Sequence, residues 1–277
     1  TDRAGAARVT SAWLVALDID GTVLREDGAM GRSVIEEVTR VRDLGHEVTL
    51  ATGRSVSMTL PVLERLGLTP RYVVCANGAI VLERDESEPD SYARFLTETF
   101  DPTDVLTTIR GHLSDASFAV EDADGVFRYT GTFPEGALAT TSRQVEFDDL
   151  LGAPATRVVV LAPDHATEDF LEIVDRMGLH KVSYNVGWTS WLDIAPDGVN
   201  KSTALERVRQ LLGVPRSRVA AIGDGRNDID MLAWASAEGL GIAMGQAPPE
   251  VLAVANDTTS TDLDDGAAAA LALHFQD

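Results

Sequence analysis

The chain has 277 residues, 44% of them hydrophobic, enough to bury a sizeable core and roughly two domains by size, so disordered and fibrous classes are excluded. With 23 Lys and Arg against 44 Asp and Glu the formal net charge is −21, which disfavours nucleic acid or an anionic membrane as partner and requires any anionic substrate to meet locally built positive charge. A single cysteine, Cys75, excludes an internal disulfide framework and a thiolate metal cluster and points to the reducing cytoplasm.

The first residues, TDRAGAARVTSAW, lack the basic-then-apolar order of a secretory signal, and no apolar run reaches the ~18 residues a membrane span needs. An apolar run at Trp13–Leu17 is followed by a helical pattern around Ser33–Leu44. A run at Glu47–Ala51, a helical pattern over Ser55–Leu66 and a third run at Tyr72–Ala76 come next, the last holding Cys75 as a small buried strand residue. Gly45 and Gly67 stand where helix C-caps belong. Near-continuous apolar strands alternating with helices predict a parallel sheet covered on both faces.

From Glu83 the chain turns acidic and irregular (ERDESEPDSY), a solvated linker pattern. Beyond it the pattern predicts a helix at Pro102–Leu113, strands at Phe118–Glu121, Gly125–Tyr129 and Arg157–Leu161, and a helix at Thr167–Met177. The earlier rhythm returns with Trp191–Ile194, a helix over Lys201–Leu212 behind the cap Asn200, and strands at Arg218–Ile222 and Leu240–Ala243 flanking a helix over Asn227–Ala235, with two further helical stretches at the end. The fold class expected is α/β: a Rossmann-like parallel-sheet core in two halves, residues 1–83 and 190–277, with an α+β unit inserted at 84–189.

Three strand ends carry chemistry. The first reads Leu17-Asp18-Ile19-Asp20-Gly21-Thr22, and in extended chain Asp18 and Asp20 project the same way at the sheet edge where open α/β folds bind ligands. Two carboxylates held together repel and call for a cation or a shared proton. An EF-hand is excluded by spacing, because the sixth and twelfth positions from Asp18 are Val23 and Ala29. The second strand ends in Ala51-Thr52-Gly53-Arg54-Ser55, either an anion-binding turn or a plain strand-to-helix turn capped by Ser55. The third ends in Ile222-Gly223-Asp224-Gly225-Arg226-Asn227-Asp228, where Asp224 matches the place of Asp18. Hard oxygen donors with no histidine or thiolate select Mg²⁺ over zinc. Lys201, one of only two lysines, opens a helix at the same kind of edge and can neutralise a phosphoryl oxygen.

These motifs, DIDGT at Asp18–Thr22, ATGRS around Thr52, Lys201 in APDGVNKSTAL and GDGRND at Gly223–Asp228, resemble the haloacid dehalogenase superfamily of phosphatases in its Cof-type branch. Asn77-Gly78-Ala79 and the stretch IAMGQAPPEVLAVA followed by DDGAAAAL look like the same branch. The resemblance implies Asp18 as nucleophile and Asp20 as acid and then base. It implies Thr52, the Gly53 amide, Lys201 and Asn227 around the phosphoryl group. The Mg²⁺ ligands implied are Asp18, Asp20 through its backbone carbonyl, and Asp224, with Asp228 in the same metal-binding set. The insertion becomes a cap that chooses the leaving group, with Glu121, Arg128, Tyr184 and Trp188 able to bind hydroxyls or stack on a ring, and Arg226 is left without a role. The activity implied is Mg²⁺-dependent hydrolysis of small phosphorylated metabolites, sugar phosphates above all, by a monomer or weak homo-oligomer in the cytoplasm. A phosphotransferase or mutase using the same aspartyl-phosphate is the alternative, and a silent binding protein is disfavoured by the presence of both Asp18 and Asp20.

Overall fold

A computed structural model describes residues 12–85, 87, 91–138, 141–179, 182–186 and 190–276. Trp188, the side chain of Tyr184, residues 1–11 of the leader reading, and residues 86 and 88–90 of the acidic stretch lie outside the described residues. In chain order the elements are β1 (Leu14–Leu17), α1 (Arg32–Asp43), β2 (Glu47–Leu50), α2 (Val56–Arg65), β3 (Tyr72–Cys75), β4 (Ile80–Arg84) and β5 (Tyr92–Thr97). Then come α3 (Thr103–His112), β6 (Ser117–Glu121), β7 (Phe127–Thr130), β8 (Ser142–Gln144), β9 (Arg157–Leu161), α4 (Thr167–Met177), β10 (Val182–Val186) and β11 (Trp191–Pro196). The last are α5 (Lys201–Leu212), β12 (Val219–Gly223), α6 (Ile229–Ser236), β13 (Leu240–Ala243), α7 (Pro249–Leu252), β14 (Asp257–Thr258) and α8 (Gly266–His274).

Five strands form a parallel sheet in the order β14-β13-β12-β1-β2. All four residues of β1 are buried, because both faces of the sheet are covered. Val15 and Leu17 pack with Val34, Val38 and Val41 of α1 and Leu271 of α8. Leu14 and Ala16 face Leu205 and Val208 of α5 and Met231 and Leu232 of α6. In register Leu17 lies beside Ile222 on one side and Leu50 on the other, so the chain leaves β1, β2 and β12 at one common edge. Beyond β2 an Ala51–Val74 bridge leads to a three-stranded antiparallel sheet, β3-β4-β5. Cys75 is buried in it, and burial pushes its thiol up to about 12.

A second sheet has the order β10-β11-β9-β6-β7-β8, antiparallel except for the parallel β7–β8 pair. One face is sealed by α3 and α4, where Leu106, Ile109, Phe170 and Val174 meet Phe118, Val120, Val158, Val160, Leu192 and Ile194. The opposite face carries Ala119, Phe127 and Val159 with Tyr129, Phe133 and Trp191 around them.

Three sequence expectations change here, the first being that Tyr72–Cys75, expected in the parallel sheet, pairs antiparallel with β4. Trp191–Ile194 was expected to belong to the parallel sheet, but β11 pairs antiparallel with β9 and β10. Its alternation of Leu192 and Ile194 with Trp191 and Asp193 fits a strand with one apolar face, whereas a parallel core strand is apolar on both. The acidic stretch expected as a linker between domains is flanked by two paired strands, because β5 pairs with β4 and Asp85 N–H donates to Ser91 O at 2.8 Å. Sheet membership therefore changes later than residues 84 and 190 on both crossings. Among the described residues no helix is long and apolar enough to cross a membrane.

Candidate active site

The common edge of the parallel sheet gathers the predicted residues. Asp18 continues the ladder, its N–H donating to Ile222 O at 3.0 Å. The chain then turns back sharply, with Ile19 O accepting from the amides of Val23 and Leu24 at 3.0 and 2.8 Å. Gly21 is required twice over in this turn: its φ is +72°, and a Cβ there would lie 2.2 Å from Asp224 Oδ2.

Thr52 is wholly buried and its Oγ1 accepts from Arg54 N–H at 3.1 Å. Ser55 holds the N-cap position of α2 without a side-chain capping bond, its hydroxyl lying 3.4 Å from that of Ser57. Asn77, in the left-handed region at φ 51°, donates its N–H to Thr52 O at 2.9 Å and accepts from Asn227 Nδ2 at 3.1 Å. The Gly53 turn is thus pinned from two sides. A capping box fixes the start of α5: Asn200 Oδ1 accepts from Thr203 N–H at 3.0 Å and Thr203 Oγ1 from Asn200 N–H at 3.1 Å. Lys201, the next residue, points inward and is 0% exposed.

Its ammonium donates to Asp18 Oδ1 at 2.6 Å and to Asp228 Oδ1 at 2.7 Å. The other oxygen of Asp228 accepts from the amides of Asp224 and Gly225, both at 3.0 Å. Asp228 is thereby fully bonded and holds both the lysine and the loop after β12. Asp18, Asp224 and Asp228 each offer an oxygen within 4.8 Å of the others'. Burial, and then the neighbouring charge of Asp228, push the Asp18 carboxyl well above its usual range against the pull of Lys201. The same two causes raise Asp224 to about 7. Burial alone would depress the Lys201 ammonium, but Asp18 and Asp228 outweigh it and hold it above its ordinary value.

Three carboxylates against one ammonium leave two negative charges in a buried space, and all the donors are hard oxygens. This set fits a divalent cation of the Mg²⁺ kind. Asp18 Oδ2 makes no hydrogen bond among the described residues, whereas both oxygens of Asp228 are taken, so Asp18 and Asp224 are the natural direct ligands. Gln246, which the sequence reading missed, braces this corner by donating to Gly21 O at 2.6 Å and accepting from Asp262 N–H at 3.1 Å.

The Asp20 carboxylate is not in the cluster. Its side chain is 61% exposed and held by Arg54, whose Nε and Nη2 donate to Oδ2 and Oδ1 at 2.9 and 2.6 Å. Asp20 and Asp18 still line one cavity of about 330 Å³ with Gly53, Asp224 and Asn227. Arg226, left without a role by the sequence, lines it too and donates to Glu250 at 2.8 Å.

The far wall of that cavity comes from the second sheet: Arg157, Trp191 and Asp193, with Ala137. None of these was singled out from the sequence, although the one-sided alternation of β11 was a readable signal for two of them. Of the residues that were, Arg128 donates to Asp149 O and Glu121 is wholly buried, and neither lines the cavity.

Similarity to known proteins runs the full length of this architecture. The family model for haloacid dehalogenase-like hydrolases matches residues 15–271. The chain is 30% identical over 275 residues, 96% of its length and 98% of the relative's, to the 5-amino-6-(5-phospho-D-ribitylamino)uracil phosphatase YitU of Bacillus subtilis strain 168. It is 29% identical over 266 residues, 88% of this chain and 91% of the relative, to the pyridoxal phosphate phosphatase YbhA of Escherichia coli strain K12. Among solved structures, that of the subclass IIB sugar phosphatase BT4131 superposes with a TM-score of 0.78 at 19% identity, over 94% of this chain and 98% of the other.

Proposed function

Because the chain belongs to the family of haloacid dehalogenase-like hydrolases, with named relatives that are phosphatases, we propose that it hydrolyses phosphomonoesters of small metabolites, sugar and polyol phosphates among them, with Mg²⁺ as cofactor. The observation that carries this reading is the buried Asp18–Lys201–Asp228 network with Asp224 beside it. Such a site is two charges short of neutrality and opens into a cavity that also holds a second, exposed carboxylate, Asp20.

Asp18 attacks phosphorus through a carboxylate oxygen, forming the aspartyl-phosphate as the ester's P–O bond breaks. Asp20, let go by Arg54 and having taken a proton from solvent, gives that proton to the departing alkoxide. The resulting carboxylate then takes a proton from water as that water attacks phosphorus, which frees Asp18 and releases inorganic phosphate. The Gly53 amide, the Thr52 turn, Lys201 and Asn227 hold the phosphoryl oxygens while their charge develops. Asp18, the Asp20 backbone carbonyl and Asp224, with Asp228 behind them, would hold Mg²⁺, which would offset the repulsion between carboxylate and phosphate. The single buried thiol suits a cytoplasmic enzyme, acting as a monomer or weak homo-oligomer.

The test is inorganic phosphate release from a panel of phosphorylated metabolites. Mg²⁺ should support it, EDTA abolish it and Ca²⁺ support it poorly, since longer Ca²⁺–oxygen distances misalign nucleophile and phosphorus. Full activity in metal-free protein would overturn the role of Asp224. Release that requires an added sugar acceptor would make the enzyme a phosphotransferase instead.

A further inference from the structure

The side chains of β6, β9 and β11 alternate between two faces, and the face away from α3 and α4 carries Glu121, Arg157, Asp193 and Trp191. Arg157 and Asp193 are diagonal neighbours, since Asp193 lies opposite Val159 in the β9–β11 register. Arg157 Nε donates to Asp193 Oδ1 at 2.5 Å, and the Trp191 indole donates from Nε1 to Asp193 Oδ2 at 3.1 Å. One carboxylate thus fixes the plane of a guanidinium and the plane of an indole side by side. Phe133 braces the indole from its edge, with ring centroids 6.0 Å apart at 82°.

Arg157 is 7% exposed and lines the cavity, and its Nη1 and Nη2 make no hydrogen bond among the described residues. Burial alone would weaken its charge, but Asp193 outweighs burial and keeps the guanidinium protonated. A rigid fork of N–H donors beside an aromatic face complements a flat group whose lone pairs lie in its own plane. A ring carbonyl or ring nitrogen meets both requirements at once, by accepting from the fork while its ring lies against the indole. A puckered sugar ring carries its hydroxyls outside one common plane, so it cannot present in-plane acceptors to the fork while lying flat on the indole.

Resting on the phosphatase reading above, we propose that Arg157, Asp193 and Trp191 form the leaving-group subsite and select phosphomonoesters whose alcohol carries a planar heterocycle with an acceptor edge. Asp193 is the positioning residue, while Arg157 and Trp191 touch the ring.

Two matched pairs of esters test this: uridine 5′-monophosphate against ribose 5-phosphate, and pyridoxine 5′-phosphate against glycerol 3-phosphate. The wild-type enzyme is expected to favour the ring-bearing member of at least one pair by about tenfold or more in kcat/KM. Arg157→Lys keeps the charge but loses the fork, and Trp191→Leu keeps apolar bulk but loses the plane. Each should collapse that preference by lowering kcat/KM for the ring-bearing ester about tenfold more than for its ring-free partner, and remaining ring-free turnover shows that the variants fold. Should Arg157→Lys prove unstable, Trp191→Leu carries the comparison alone. A wild-type enzyme with no ring preference in either pair, or variants that lower both members of a pair equally, would overturn the subsite. If no ester releases phosphate, the phosphatase reading falls and the subsite with it. Turnover of ring-free esters alone would sink only the subsite.

Discussion

Glu121 gives the sharpest quantitative handle on the second sheet. It ends β6 directly opposite Arg157, is 0% exposed, and neither carboxyl oxygen finds a hydrogen-bond partner among the described residues. Burial raises it from 4.5 to about 7, against the pull of Arg157 on β9 and Arg94 on β5 and with reinforcement from Asp193 on β11 and Asp122. A carboxyl whose folded value lies above its unfolded one binds more protons when folded, so stability falls as pH rises between those two values and is flat above them. Across the window from 4.5 to about 7, at ~1.4 kcal/mol per pH unit, this group removes about 3.5 kcal/mol. Glu121→Gln keeps the shape and deletes the titration. Urea unfolding of wild type and variant at about pH 5 and about pH 8 isolates the effect, because all other groups cancel in the difference. The variant should gain about 2.5 kcal/mol on wild type between the two conditions, since part of the window is already crossed at about pH 5. A difference that does not change with pH would show that the carboxyl is hydrated or paired, and the reasoning from burial would be wrong.

Asp18→Asn should abolish phosphate release while stability holds or rises, because it removes the nucleophile and also the like-charge repulsion with Asp224 and Asp228; appreciable turnover in clean protein would refute the covalent route. Lys201→Met should destabilise the fold by about 3–5 kcal/mol, since it leaves two buried carboxylates without their shared cation, and should lower kcat by at least about a hundredfold. A variant as stable as wild type in metal-free urea titrations would mean that Lys201 does not hold the network together.

How much of this was legible follows from where each signal sits. The parallel sheet was readable because β1 and β12 are apolar on both faces, and the edge residues Asp18, Thr52, Lys201 and Asp224 were readable because each follows such a run or opens the next helix. Sequence spacing could not show that Lys201 is wholly buried, that both Asp228 oxygens are consumed by its ammonium and by two amides, or that Asp20 turns to Arg54. These depend on the packing of loops distant in the chain. The cap wall was lost for a different reason. Trp191-Leu192-Asp193-Ile194 was read by its apolar content as a core strand, although its period of two already assigned Leu192 and Ile194 to one face and Trp191 and Asp193 to the other. Once β11 is placed against β9, that alternation turns Asp193 toward Arg157. The polar side of a half-buried strand, easily set aside as solvated, is then the side that lines the cavity shared with Asp18. The subsite proposed for selecting substrates accordingly rests on residues that neither the four edge motifs nor the segment 84–189 fully contain, since two of the three lie just beyond its end.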